Sequence, residues 1–336
     1  MAPEVQLNLG EPAVELRHVT KFYGQFKAVD DVSFSLPAGC IYGFLGPNGA
    51  GKTTTIRMIL DIIKPTSGEI TLLGHRCALD VRHRIGYLPE EKGLYKKMKT
   101  WAVIAYFASL KGMERRAARQ RAYELLERYG LKDFADKPTD ALSKGMGQKV
   151  QVLASIAHEP EFVILDEPFS GLDPVNQEVM EEIIRDMARR NRTVLFSTHV
   201  MEHAERLCNR ILLMAKGKKV FDGTISEAKR MLPRRVRIET EDDIAPLRQL
   251  REVASLRQIE PAVIAPTNPA SANSNPYSNG TGKWELELKE NFDPQSILQF
   301  CFEQKIRLRS FNQTEPGLHE VFVRLVGPEA REAGFR

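Results

Sequence analysis

The sequence predicts an α/β fold built on a parallel sheet with an antiparallel hairpin added to it, and three observations point to this class. The apolar run 162–165 has the composition of a buried parallel strand and leads directly into two adjacent carboxylates. A second apolar strand, 41–45, is followed by a glycine-rich loop and then by a segment with helical spacing. Residues 14–19 and 32–36 alternate between apolar and polar, which predicts the two strands of a hairpin.

The glycine-rich loop is the most specific motif in the chain. It reads Gly-Pro-Asn-Gly-Ala-Gly-Lys-Thr and matches the pattern G-x-x-x-x-G-K-[ST]. Glycines let the backbone wrap closely around a phosphate, and Lys52 would reach the β and γ phosphates while the Thr53 hydroxyl binds Mg²⁺. A helix predicted over 54–63 would place its N-terminus at the phosphates. We therefore expect a nucleotide site formed by Gly46, Pro47, Asn48, Gly49, Ala50, Gly51, Lys52, Thr53 and Thr54.

The carboxylates Asp166 and Glu167 stand at the end of the predicted strand 162–165. Burying two acids is costly unless their charge is used, and ligands of α/β sheets bind at the carboxyl ends of strands. The pair is therefore expected to face a metal ion and a reacting group. The alternative is an ordinary acidic loop, which the phosphate loop upstream disfavours.

Composition bounds the class of protein. The chain has 336 residues, and its 48 basic and 44 acidic residues give a net charge of +4, which does not by itself indicate a nucleic-acid partner. Four widely spaced cysteines, with no C-x-x-C, suggest reduced thiols rather than disulfides or a zinc site. The segment 1–15 does not resemble a signal peptide, and no apolar run is long enough to span a membrane.

A helical insertion is predicted between the two halves of the core, over roughly 100–159. The core then resumes and leads through a strand to Ser197, Thr198 and His199. Short strands are predicted at 69–74, 85–88 and 193–196, a hairpin at 211–214 and 219–221, and helices at 101–111, 115–129, 143–158 and 177–190.

A second domain is predicted beyond a boundary near 232–233. The predicted order is strand, helix (244–253), two strands, helix (294–305), strand and a final helix, which is typical of a ferredoxin-like domain. Its middle loop, 265–282, is rich in Pro, Asn, Ser and Gly and is predicted to be disordered. Because its sequence shows no group of residues typical of a catalytic or metal site, we expect this domain to serve regulation, dimer support or partner contact.

In this order, the motifs resemble those of the nucleotide-binding subunit of an ATP-binding cassette (ABC) transporter, over residues 14–225. The phosphate loop resembles Walker A, 162–167 resembles Walker B, 170–173 resembles the D-loop, and 142–146 stands at the signature motif, usually LSGGQ. The resemblance implies a P-loop NTPase (RecA-like) core with an antiparallel β subdomain and a helical subdomain at about 90–160. The expected domains are then 14–230, the ATPase, and 234–326, an accessory α+β ferredoxin-like domain.

The resemblance also implies a role for each residue of the site. Thr53 and Asp166 would hold Mg²⁺, and Glu167 would act as general base on the attacking water. His199 would contact the γ phosphate; the alternative is a histidine that caps a helix or packs in the core. Tyr23 would stack on adenine; the alternative is an aromatic residue of the hairpin without a ligand.

The signature region implies a dimer. In the family, Ser143 and Gly145 bind the γ phosphate of ATP held by a second copy or a homologous cassette, and in isolation Ser143 would be interpreted as a simple helix cap. Two departures from the family pattern are present: Lys144 and Met146 replace a Gly and the Gln of LSGGQ, and Glu90 stands where a glutamine is usual. Such variation resembles the sodium-efflux type of export ATPase. Glu90 could still be a ligand of Mg²⁺.

The expected function is ATP hydrolysis that powers export through a separate permease, of the ABC-2 type, at the cytoplasmic face of the cell membrane. Residues 89–110 are the expected docking surface for the permease, with Trp101 and Tyr106 as candidate anchors. The alternatives are a non-transport ABC ATPase that acts on ribosomes or DNA, and a regulatory module that holds ATP without hydrolysing it. No nucleic acid is expected as a partner, and the sequence does not specify the transported substrate.

Overall fold

The computed structural model describes residues 11–91, 93–261, 282–289 and 292–327. The chain forms two compact units. The first extends to Ile225 and includes the segment from Phe322 onward, and the second is Ser226–Val321. No helix in the described part of the chain combines the length and the apolar character needed to cross a membrane.

The first unit contains two sheets and six helices among its described residues. Its strands are β1 (Val14–Tyr23), β2 (Phe26–Leu36), β3 (Ile41–Leu45), β4 (Ser67–Leu72), β5 (Ile85–Leu88), β6 (Phe162–Leu165), β7 (Thr193–Thr198), β8 (Arg210–Ala215) and β9 (Lys218–Thr224). Its helices are α1 (Lys52–Ile59), α2 (Thr100–Leu110), α3 (Arg115–Arg128), α4 (Lys144–Ile156), α5 (Pro174–Arg189) and α6 (Met201–Leu207).

The six-stranded sheet has the order β5-β6-β7-β3-β8-β9, in which all neighbours are parallel except β8 and β9. Leu45 at the end of β3 lies beside Thr198 of β7, and Leu165 at the end of β6 lies beside Phe196. This register brings the residues that follow β3, β6 and β7 to one edge of the sheet, which is where α/β proteins bind ligands.

Both faces of this sheet are buried, which explains the unbroken apolar runs in the sequence. Along β6, Val163 and Leu165 pack with helices α2 to α5 on one side. Phe162 and Ile164 pack on the other side with α1 and the antiparallel sheet β2-β1-β4. The alternation follows from the two-residue period of a strand. The predicted α/β core with an added antiparallel sheet and a helical insertion is therefore confirmed.

Helix α1 is shorter than predicted. It ends at Ile59 rather than at Ile63, because Asp61 adopts a left-handed backbone with φ of 59°. The N–H groups of Ile62 and Ile63 donate to the carbonyl of Arg57, which closes the helix end.

The second unit contains a four-stranded antiparallel sheet of order β11-β12-β10-β13. The remaining elements of the chain are α7 (Ile225–Arg230), β10 (Arg235–Thr240), β11 (Val253–Pro261), β12 (Gly282–Leu288), α8 (Pro294–Glu303), β13 (Leu308–Thr314) and α9 (Leu318–Val326). Because β12 lies between β10 and β11 and is antiparallel to both, the topology is the split arrangement of a ferredoxin-like sheet.

The helix predicted over 244–253 is wrong. A short 3₁₀ turn, Ala245–Gln249, stands in its place, and the chain enters β11 at Val253. Ile244 and Leu247 are buried, so the apolar spacing that suggested a helix belongs to a single turn. The turn ends at Leu250, whose backbone is extended (φ −67°, ψ 131°) and leads the chain toward β11. The loop predicted over 265–282 lies, except for Gly282, outside the described residues.

Candidate functional site

The phosphate loop lies between β3 and α1 and depends on two of its glycines. Gly46 has a φ of 152° and Gly51 a φ of 100°, values that favour glycine. A Cβ atom on Gly46 would lie 2.3 Å from the carbonyl oxygen of Met214, and one on Gly51 would lie 2.7 Å from that of Ala28. Neighbouring backbone therefore packs closely against the loop at these two positions and leaves no room for a larger residue.

Lys52, the first residue of α1, is buried beneath this loop. Its Nζ donates to the carbonyl oxygens of Gly46 (2.7 Å) and Pro47 (3.2 Å) and lies 3.6 Å from Oε1 of Glu167. Burial lowers the pKa of Lys52, and the nearby charges of Glu167 and Asp166 oppose that shift. The ammonium is thus held at the centre of the loop, at a cost in desolvation.

The carboxylates Asp166 and Glu167 are almost fully buried at the end of β6. Ser197, at the same level of β7, donates its hydroxyl to Oδ1 of Asp166 and accepts the N–H of Glu167 at 2.8 Å. Glu167 has a φ of 49°, which is uncommon for a residue with a side chain and indicates a constrained site. One oxygen of each acid, Oδ2 of Asp166 and Oε1 of Glu167, has no hydrogen-bond partner.

Ser197 is a residue that sequence reasoning missed. It fixes the orientation of Asp166 and the backbone of Glu167 at once, so it positions both acids. The sequence signal that could have indicated this role was the position of Ser197, directly before Thr198 and His199. It lies near the end of β7, which neighbours the strand β6 that leads into the two acids. A serine at a strand end is common, and that signal alone does not predict a partner.

His199 follows β7 and reaches across to the acid after β6. Its Nδ1 lies 3.0 Å from Oε2 of Glu167, and its side chain remains partly open to solvent. Glu167 therefore lies between the ammonium of Lys52 on one side and the imidazole of His199 on the other.

A cleft with a volume of about 310 Å³ opens in front of these groups. It brings together the predicted residues Tyr23, Glu90 and Glu167 with most of the phosphate loop. Its lining consists of Tyr23, Phe26, Ala28, Asn48, Gly49, Ala50, Gly51, Lys52, Thr53, Thr54, Glu90 and Glu167. Phe26 was not predicted; it pairs with Tyr23 across the hairpin turn, which places both rings on one face.

Ser143 and Gly145 are not among the residues that line this cleft. Ser143 caps α4, with its Oγ accepting the N–H of Met146 at 3.3 Å. A Cβ atom on Gly145 would lie 2.5 Å from Nδ2 of Asn176 at the start of α5, so a larger residue there would displace the side chain of Asn176. Within one chain, these two residues form a second surface with the turn that precedes α5.

The two candidate docking anchors differ in their surroundings. Trp101 is partly buried, stacked on Tyr123 with ring centroids 5.8 Å apart, so it belongs to the packing of the helical insertion. Tyr106 is exposed. It forms an aromatic patch with other exposed apolar side chains, which we call the α2 patch and define as Tyr95, Tyr106, Phe107 and Leu110.

The donor set at the sheet edge fits a hard cation such as Mg²⁺. Two buried carboxylate oxygens, one on Asp166 and one on Glu167, lack hydrogen-bond partners, and Thr53 lines the cleft. Among the described residues, no group of three or more His, Cys, Asp and Glu side chains could hold a metal by itself. Phosphate oxygens and water would have to complete the shell, as Mg²⁺ commonly requires.

Comparison with known families gives two matches. Residues 29–170 match the family model described as "ABC transporter". Residues 223–326 match the model described as "ATP-binding protein DrrA1-3-like, C-terminal domain".

Curated proteins similar to the chain include two from Bacillus subtilis (strain 168). The uncharacterized ABC transporter ATP-binding protein YhaQ is 38% identical over 311 residues, which cover 92% of this chain and 97% of that protein. The ABC transporter ATP-binding protein NatA is 36% identical over 203 residues, or 59% of this chain and 82% of NatA.

Solved structures similar to the chain include an ATP-binding subunit of an ABC transporter, with a TM-score of 0.60 and 29% identity over 65% of this chain and 92% of that one. Another is the dimeric structure of a post-hydrolysis state of the ATP-binding cassette MJ0796 bound to ADP and Pi. It has a TM-score of 0.58 and 25% identity over 63% of this chain and 98% of that one.

Proposed function

This chain belongs to the ATP-binding subunits of ABC transporters, and from that premise we propose how its residues hydrolyse ATP to power transport through a separate membrane permease. The observation that carries the proposal is the cluster of Lys52, Glu167 and His199: Lys52 and Glu167 line the cleft, and His199 contacts Glu167. The relatives above are named as transporter subunits, which favours this function over a non-transport ATPase that acts on ribosomes or DNA.

Binding of ATP is assigned to the cleft. The loop N–H groups and the N-terminus of α1 face the phosphates, and Lys52 exchanges its contacts with loop carbonyls for contacts with the β and γ phosphates. Tyr23, nearly half exposed at the other end of the cleft, offers a ring for the base to stack on.

Hydrolysis is assigned to Glu167. A general base must lie within hydrogen-bond reach of the water it activates, and Oε1 of Glu167 is buried, accepts no hydrogen bond and lies 3.6 Å from the ammonium of Lys52. His199 holds the other carboxylate oxygen, so it orients the base. Ser197 accepts the backbone N–H of Glu167, which fixes the backbone from which the acid extends.

Mg²⁺ fits the same edge of the sheet. Thr53 and Asp166 would hold the ion, and Glu90 lines the same cleft. When bound, Mg²⁺ neutralises the charge that develops on the phosphate oxygens.

The signature residues are assigned to a second copy. Ser143 and Gly145 lie outside the cleft lining, at the N-terminus of α4, where Ser143 is exposed and Gly145 is buried within its own chain. The N–H groups of a helix N-terminus can meet an anion. In a head-to-tail dimer, this surface of one copy covers the ATP of the other. Each active site is then completed by its partner, and the dimer forms with ATP and separates after hydrolysis.

Ser143→Arg tests this arrangement. In a Glu167→Gln background, which retains ATP, the added side chain should keep the protein monomeric with ATP while ATP still binds, because Ser143 does not line its own cleft. Light scattering measures the mass, and fluorescent-nucleotide titration measures binding. Replacing another exposed helix cap, Glu114→Arg at α3, controls for the lost cap and should leave dimerisation intact. An ATP-dependent dimer of the Ser143→Arg protein would rule out the assignment.

The docking site of the permease is assigned to the α2 patch. The chain itself is assigned to the cytoplasmic face of the membrane, as a peripheral subunit. Exposed aromatic side chains are enriched at the centres of protein interfaces, and three of these rings already contact one another. The DrrA-like C-terminal match supports a permease of the ABC-2 type.

Tyr106→Glu tests the α2 patch. A carboxylate buried in the interface would abolish stimulation of the ATPase by the co-expressed permease, because desolvating it is costly. ATPase activity of the isolated protein should persist, since Tyr106 is exposed and outside the cleft. Phe302→Glu, at an exposed apolar side chain of α8, is the matched control. If the permease still stimulated the ATPase activity of the Tyr106→Glu protein, the docking surface would lie elsewhere on the chain.

A further inference from the structure

Glu90 places an unpaired negative charge at the mouth of the cleft. Its side chain is exposed and lines the cleft, and among the described residues no hydrogen bond or ion pair is formed with it. The neighbouring Glu91, by contrast, pairs with Arg57 at 2.9 Å. The charge of Glu90 is felt by Lys52, whose pKa it raises slightly against the larger effect of burial.

Lys144 places an unpaired positive charge on the signature surface. It is exposed at the first residue of α4, next to Ser143. Its Nζ lies 2.7 Å from the point where a Cβ atom on Gly171 would stand, so the ammonium rests over the turn that follows Glu167. In the described part of the chain, no carboxylate pairs with it.

The charged side chains that line the cleft carry a net negative charge. Lys52 is the basic side chain among the lining residues, against the carboxylates of Glu90 and Glu167, with Asp166 directly behind. Bound ATP adds several negative charges, and Mg²⁺ offsets two of them. A site with this excess of negative charge gains from a cation brought to its open side.

We propose that Lys144 of a second copy pairs with Glu90 across the ATP-filled cleft. Lys144 departs from the usual signature motif and Glu90 from the usual glutamine, and in this pair the two departures meet in one contact between subunits. The inference rests on the proposed head-to-tail dimer and adds to it a residue that the partner contributes. Each dimer would contain the pair twice, once at each ATP. The pair would also make closure depend on ionic strength, because both groups are exposed until the copies meet.

Charge reversal in the Glu167→Gln background tests the pair. Glu90→Lys or Lys144→Glu alone should raise the ATP concentration needed for half-maximal dimerisation by about tenfold or more, as like charges then face each other. The double variant, Glu90→Lys with Lys144→Glu, should return to within about threefold of the parent, since the pair is restored in reverse. Analytical ultracentrifugation over an ATP series gives the half-points.

A matched cycle controls for general charge effects. Glu91→Lys combined with Lys144→Glu should show additive effects, because Glu91 is exposed and pairs with Arg57 of its own chain. ATP affinity, measured at protein concentrations where each variant is monomeric, separates dimerisation from binding. Because Glu90 lines the cleft, the half-points of the variants are compared at equal occupancy by ATP, so that a change in nucleotide binding is not counted as a change in dimerisation.

Two outcomes would overturn the inference in distinguishable ways. Additive losses in the Glu90→Lys and Lys144→Glu double variant, with the parent still dimerising, would exclude the pair, and a role for Glu90 as a ligand of Mg²⁺ predicts that result. A parent that stays monomeric with ATP would refute the head-to-tail dimer itself, and the pair with it.

Discussion

Replacing Glu167 with Gln is expected to lower ATP turnover by a factor of about 10² to 10⁴, the usual contribution of a general base, while ATP still binds. The amide is nearly isosteric with the carboxylate, so the contacts of the phosphate loop with ATP remain. It cannot accept a proton from water, and it removes the negative charge that lies 3.6 Å from Lys52. With Mg²⁺ and ATP, the protein should therefore accumulate as an ATP-bound dimer.

Single-turnover hydrolysis measures the loss of ATP turnover, and light scattering measures the accumulation of the ATP-bound dimer. Removing Mg²⁺ with EDTA should prevent both turnover by the wild type and trapping of the variant. Glu181→Gln is the matched control, because Glu181 is equally buried but lies on α5 in ion pairs with Arg185 and Arg206. It should cost stability rather than turnover. Turnover of the Glu167→Gln protein at the wild-type rate would exclude Glu167 as the base.

The phosphate loop and the acidic strand end could be predicted because chemistry restricts them strongly. Gly46 and Gly51 are required by positive φ and by neighbouring carbonyl oxygens that would lie less than 3.0 Å from any Cβ atom, and few other sequences satisfy such limits. The carboxyl ends of parallel strands then bring distant segments together by topology alone, which places His199 beside Glu167.

Other features depend on tertiary contacts that leave little trace in the sequence. The role of Ser197 follows from the register of β6 and β7, which pairs Leu165 with Phe196 and so sets Ser197 level with Asp166. The apolar spacing of Ile244 and Leu247 is compatible with a helix, but one buried turn satisfies it equally well. The contact of Gly145 with Asn176 likewise arises from the packing of α4 on α5.

Replacing Lys52 with Met is expected to weaken ATP binding by at least about a hundredfold, because each lost hydrogen bond from the ammonium to phosphate contributes roughly 1.5–3 kcal/mol. The nucleotide-free protein should also lose some stability, because the variant leaves the buried carboxylate of Glu167 without the ammonium that lies 3.6 Å from it. Burial lowers the pKa of Lys52, so the desolvation of its charged form offsets part of that loss.

The two effects separate in thermal unfolding. Without nucleotide, the melting temperature of the Lys52→Met protein reports the loss of the contact with Glu167. The rise in melting temperature on adding ATP and Mg²⁺ should disappear, since that rise reports ligand binding to the native state. Lys149→Met is the matched control: Lys149 is also buried, and burial also lowers its pKa, but it lies on α4 outside the cleft lining. Its ATP-dependent rise should persist. If the Lys52→Met protein kept that rise, the ammonium would be a structural support of the loop rather than a ligand of the phosphates.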